Sequence, residues 1–271
     1  MAICGQPGVN FVQEIVVQVQ NLDKRFSAQG QDDPILSNIS FHVKKGEIVS
    51  IMGQSGCGKS TLLNVIGGFI QPDRGTVLFQ GALVNRPSRK CVMLSQDYGL
   101  LPWRSVLKNV ELGLEELSIP VRERRERALQ YLRLVGLEEN REMFPHQLSG
   151  GMQQRVAIAR ALAIQPELLL MDEPFAALDT FNRYHLQDEL LRIQRREKTT
   201  VIVVTHDIDE AIYLSDRVLI MREKPGRINK EVRIRISRPR NRGHSEFQHF
   251  RKVILDEFLY NHSVSPRRQV Q

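Results

Sequence analysis

EIVSIMGQSGCGKSTLLNVI, residues 47–66, is the stretch on which the fold turns. Its first part is an apolar run that suits a buried strand, and STLLNVI has the spacing of a helix. Between them GQSGCGKS, residues 53–60, fits the pattern G-x-x-x-x-G-K-[ST]. Gly53, Gly56 and Gly58 let the backbone turn tightly and leave its amide hydrogens bare. The helix that follows adds partial positive charge at its N-terminus, so the loop suits a phosphate. Lys59 can then reach the β- and γ-phosphates of a nucleotide, and the Ser60 hydroxyl can ligate Mg²⁺. Gln54, Ser55, Cys57 and Thr61 complete the expected cradle. The plain alternative is a glycine-rich turn with an exposed lysine. The strand before the loop and the helix after it weigh against that.

Working outward, IVVQVQ (15–20), ILSNISFHV (35–43), TVLFQ (76–80) and CVMLS (91–95) read as strands. From about 105 to 163 the pattern is helical and charged, with no convincing strand. LLLMD (168–172), TVIVV (200–204) and RVLIM (217–221) are short continuous apolar runs, which suit parallel strands buried on both faces. Helical stretches separate them, so the fold class is α/β, a nucleotide-binding core interrupted by a helical insertion. Asp172 ends one of these strands, where a carboxylate can reach Mg²⁺ through water. Glu173 follows it, placed to polarise an attacking water as general base.

Composition is ordinary for a globular chain of 271 residues. No apolar run is long enough to span a bilayer, and the N-terminus lacks the pattern of a signal peptide, which places the chain in the cytosol. Cys4, Cys57 and Cys91 have neither metal-ligand nor disulfide spacing. The net charge of +7 owes much to Arg233, Arg235, Arg238, Arg240 and Arg242. No aromatics interleave with these arginines, so nucleic acid is not expected, and a solvated basic face is. Cys57, beside a lysine and a helix N-terminus, is expected to favour its thiolate.

LSGGMQQR, residues 148–155, narrows the class. Ser149, Gly150 and Gly151 open the helix MQQRVAIARALA, and such small residues admit a phosphate close to the helix start. The first loop already wraps its own phosphates, so this second amide cluster would serve another nucleotide. Ordinary serine capping is the competing account. With these motifs the chain resembles the nucleotide-binding subunits of ABC transporters over about residues 15–225.

The resemblance implies a RecA-like P-loop NTPase core with an antiparallel β subdomain and an inserted helical subdomain at about 97–163. It also implies ATP and Mg²⁺ as ligands. It assigns Ser149, Gly150, Gly151 and Gln153 to the γ-phosphate held by a partner subunit, and Asp179 to the D-loop. Gln96, with Ser60 and Asp172, would serve the metal. His206 would contact the γ-phosphate, and Phe26 would stack on adenine, a core phenylalanine being the alternative. Catalysis would rest on Glu173, His206 and Lys59. Residues 1–13 are expected as a loose tail, 14–227 as the ATPase domain, and 228–271 as an extension with a basic stretch and an amphipathic helix.

A chain of this kind without its own membrane spans needs a separate permease, as is usual in bacterial importers. Leu100, Leu101, Pro102 and Trp103 stand on an expected exposed loop where the resemblance places that permease. EKPGRI (223–228) and SRPRNR (237–242) resemble the nitrate, sulfonate and taurine subfamily, with similar tails in bicarbonate and thiamine-precursor importers. The expected partners are thus a permease, a second ATP-binding subunit and, indirectly, a solute-binding protein, at the cytoplasmic face of the membrane. A chromosome-maintenance ATPase would need a long coiled-coil insertion, and a tandem translation factor a second phosphate loop. The sequence has neither.

Overall fold

The strands at the centre of the molecule owe their place to the apolar runs. The computed structural model describes residues 14–28, 31–222 and 224–259. The expected tail 1–13, Cys4, Glu223 and residues 260–271 lie outside them. A six-stranded sheet has the order β10-β9-β3-β8-β7-β6, formed by β3 (Ile48–Met52), β6 (Cys91–Leu94), β7 (Leu168–Asp172), β8 (Thr200–Val204), β9 (Arg217–Arg222) and β10 (Arg227–Arg233). Every pairing in it is parallel except that of β10 with β9. In β3, β7 and β8 every residue is buried. Val49, Ile51, Leu168, Leu170, Ile202 and Val204 pack into one core, and Ile48, Met52, Leu169, Met171, Val201 and Val203 into another. That alternation is the two-residue period of a strand buried on both faces. Each such side chain contributes about 1.5–3 kcal/mol by its burial.

A second, antiparallel sheet has the order β2-β1-β4-β5, from β1 (Ile15–Ala28), β2 (Gln31–Lys44), β4 (Arg74–Phe79) and β5 (Ala82–Leu83). Its inward residues, Val17, Val19, Leu22 and Ile39 among them, share a core with α1 (Lys59–Ile66). Between β6 and β7 come α2 (Val106–Glu115), α3 (Val121–Leu134), a 3₁₀ turn at Pro145–Gln147 and α4 (Gly150–Ala163). Asn109, fully buried on α2, ties down the preceding loop: it accepts from Leu101 N and donates to the carbonyls of Leu101, Arg104 and Ser105. The chain closes with α5 (Thr180–Glu197), α6 (Ile208–Leu214) and α7 (Ser245–Leu259). In α7 Phe247 and Ile254 are buried and Phe250 packs beside them, so its apolar stripe faces inward.

The basic tail departs from the expected solvated face. Arg240 is buried and donates to the carbonyls of Ile212, Tyr213 and Ser215 at 2.5, 3.1 and 2.7 Å. These are orphan acceptors at the C-terminus of α6, where a cation also suits the helix dipole. Arg238 pairs with Asp216 at 2.7 Å, and Arg242 lies over the rings of Tyr184 and Tyr213. Only Arg233 and Arg235 face solvent as expected. β10 begins where the core was expected to end and pairs along β9.

Candidate functional site

The loop after β3 turns through two glycines in the left-handed region, Gly56 at φ 80 and Gly58 at φ 93. At Gly58 space is short as well, since a Cβ would lie 2.8 Å from Leu36 Cδ2 and 3.1 Å from the Ile35 carbonyl. Lys59 opens α1, and its ammonium donates to the carbonyls of Gly53 and Gln54, both at 2.8 Å. Asp172 stands at the C-terminal end of β7 and is buried. Burial pushes its carboxyl up, the Ser60 hydroxyl bonded to it opposes that, and the neighbouring Glu173 charge adds to the rise. Glu173 occupies the left-handed region at φ 50, a strained conformation of the kind that clusters at functional sites. His206 follows β8, and its Nδ1 lies 3.1 Å from Glu173 Oε1.

These groups share one cleft of about 600 Å³. It is lined by Gly53, Ser55, Gly56, Gly58, Lys59, Ser60, Thr61, Gln96, Asp172, Glu173 and His206. Gln96 reaches it from just beyond β6, on a loop held from α4: Arg160 donates to the carbonyls of Tyr98 and Gly99, both at 2.6 Å. Ile35 and Lys224 also line the cleft, and the sequence motifs point to neither. Among the described residues no three His, Cys, Asp or Glu side chains gather into a metal cage. Yet Asp172, hydrogen-bonded to Ser60 and crowded by Glu173, offers hard oxygens. That donor set fits Mg²⁺, which binds through one or two carboxylates and takes its remaining ligands from phosphate and water.

The helix-start cluster is elsewhere. Ser149 caps α4, accepting from Met152 N at 3.3 Å. Ser149 and Gly150 are exposed, and neither they nor Gly151 line the cleft. Gln153 turns its amide back to the carbonyls of Pro145 and Leu148. The next residue, Gln154, has no role that the sequence pattern assigns. Buried, it donates to the Glu173 carbonyl and accepts from Ala177 N, each at 3.2 Å, which bolts α4 to the loop carrying Glu173. Asp179 caps α5, accepting from Phe181 N and Asn182 N at 3.1 Å.

Cys57 departs from expectation. It is 2% exposed, and burial pushes its thiol up despite the Lys59 charge. The expected thiolate is therefore disfavoured. Phe26 is not a core residue: it is 41% exposed on β1, with the Lys24 ammonium 5.5 Å from its ring centroid. Leu100 and Leu101 are half-buried, whereas Trp103 is 71% exposed. Among the described residues no helix is long and apolar enough to cross a membrane.

A family model described as "ABC transporter" matches residues 36–176. The aliphatic sulfonates import ATP-binding protein of Bacillus cereus is 43% identical over 246 residues, covering 91% of this chain and 97% of that protein. The bicarbonate transport ATP-binding protein of Synechococcus elongatus is 42% identical over 250 residues, covering 90% of each. A solved dimeric ATP-binding cassette in a post-hydrolysis state, bound to ADP and Pi, superposes with a TM-score of 0.75 at 36% identity. The match covers 82% of this chain and 100% of that one.

Proposed function

Because this chain belongs to the ABC transporter family, we propose that it is the ATP-hydrolysing subunit of an importer for a small anion such as nitrate, a sulfonate or taurine. It acts at the cytoplasmic face of the membrane, on a separate permease that it meets around Leu100, Leu101 and Trp103. The observation that carries the ATPase reading is the single cleft joining the phosphate loop to Asp172, Glu173 and His206. The loop amides and Lys59 hold the phosphates, and Ser60, Gln96 and Asp172 hold Mg²⁺. When bound, that ion neutralises charge on the β- and γ-phosphates. Glu173 takes a proton from the attacking water, and His206 aligns Glu173 with the γ-phosphate. The reaction is ATP + H₂O → ADP + phosphate.

Ser149 and Gly150, which are exposed, and Gly151, all outside the cleft of their own chain, complete the site of a second copy. Mixing two inactive variants tests this. Lys59→Ala loses the phosphate loop, and Ser149→Arg blocks the helix start by bulk and charge. Each homodimer should be inactive. A heterodimer contains one site with both lesions and one whole site, so ATPase should return in part. A verified heterodimer that stays inactive at high protein and ATP concentration counts against the trans arrangement. The bicarbonate relative favours a second solute class. ATPase assays on the chain co-purified with its permease, with each solute and its binding protein added, decide between them.

A further inference from the structure

Lys59 and Lys224 line the cleft, which Asp172 and Glu173 also line. Lys59 is engaged by the carbonyls of its own loop. Lys224 has no place in any phosphate-binding motif, and comes from the turn between β9 and β10. That turn is pinned against the phosphate loop. Gly226 N donates to the Ile35 carbonyl at 2.7 Å, and Ser37 N donates to the Gly226 carbonyl at 3.0 Å. A Cβ on Gly226 would lie 2.1 Å from the Cys57 carbonyl, so no other residue allows so close an approach. The turn therefore carries Lys224 to the cleft on a backbone hydrogen-bonded to β2 and packed closely against the phosphate loop.

The Lys224 ammonium is 2.9 Å from Asp33 Oδ2, and both side chains are half-exposed. An exposed pair of this kind is weak and exchanges its partner readily. Asp33 lies opposite Phe26 in the β1–β2 hairpin. The ion pair thus joins the β1–β2 hairpin to the β9–β10 turn, and its lysine lines the cleft. A nucleoside triphosphate brings several negative charges into a cleft that already holds two carboxylates, and such charges need cations close by.

We propose that Lys224 is a further nucleotide-binding residue, which leaves Asp33 for the polyphosphate chain of the bound nucleotide. Asp33 is then a competitor: it holds the ammonium while the cleft is free of nucleotide and releases it on binding. The proposal rests on the ATP-binding reading and extends it to a residue outside the motifs.

The signs of two substitutions test it. Lys224→Gln removes the cation and should weaken ATP binding by about twofold to fivefold, the range for one partly exposed charge contact. Asp33→Asn removes the competitor and should tighten ATP binding. If the pair were only a structural tether, both substitutions would weaken binding. Lys224→Arg keeps the charge and should restore most of the affinity. Affinity is read at equilibrium with a fluorescent ATP analogue, displaced by ATP or by inorganic tripolyphosphate. The loss in Lys224→Gln should appear with both competitors. A loss confined to ATP would place Lys224 at the nucleoside end and overturn the proposal. So would equal affinity in wild type and Lys224→Gln, or weakening by Asp33→Asn. A wild-type chain that binds no ATP would instead overturn the proposed function.

Discussion

Beneath the His206 turn lies a carboxyl group that should make the fold sensitive to alkaline pH. Glu210, on α6, is buried, and burial pushes its carboxyl from 4.5 up to about 8. Asp207, the N-cap of α6, adds to the rise, while Arg183 and the side chains of Thr205 and Gln187 oppose it. The direct contact from Gln187 is long, at 3.4 Å. Between these two values the folded chain keeps a proton that the unfolded chain has lost. Stability therefore falls as pH rises through that window and levels off above it. A full pH unit inside the window costs about 1.4 kcal/mol, so going from about pH 5.5 to about pH 8.5 costs about 3 kcal/mol from this group alone. Glu210→Gln keeps the shape and cannot ionise. Urea unfolding of both proteins across this range isolates the effect, since all other titrating groups cancel in the difference. The variant should gain about 3 kcal/mol on the wild type between the two ends of the range. Parallel profiles would refute the reasoning and would mean that water or a partner solvates the Glu210 charge in the folded state.

Two further outcomes follow from buried groups. Native Cys57 should resist iodoacetamide near pH 8, because its thiol is both covered and held protonated; mass mapping that finds Cys57 alkylated before unfolding would overturn this. Arg242→Ala should lower stability by about 2 kcal/mol, since it removes a guanidinium from over two tyrosine rings and a charged hydrogen bond to Gln187. A thermal melt unchanged from wild type would show the tail to be loosely attached.

What the sequence determined by itself was whatever depends on neighbours along the chain. The phosphate loop is legible because strand, glycine turn and helix start are contiguous, and helix-start amides bind anions wherever the helix lies. The buried strands are legible because a strand covered on both faces must be apolar throughout, as β3, β7 and β8 are. The helix start at Ser149 is legible as a cap, because a serine just ahead of a helical run accepts from its free amides. The tertiary structure decided everything that depends on what covers what. It brings Asp172, His206 and Gln96 into one cleft from the ends of separate strands, and it adds Ile35 and Lys224, whose neighbours in sequence say nothing of phosphate. It buries Arg240 against the carbonyls that end α6, where a run of alternating arginines reads as a solvated face. It also reverses the reading of Cys57. The nearby Lys59 and the helix start are local and favour the thiolate. Cys57 belongs to a core that residues of β1, β2, β7, β8 and β9 build from distant parts of the chain, and desolvation outweighs one nearby charge.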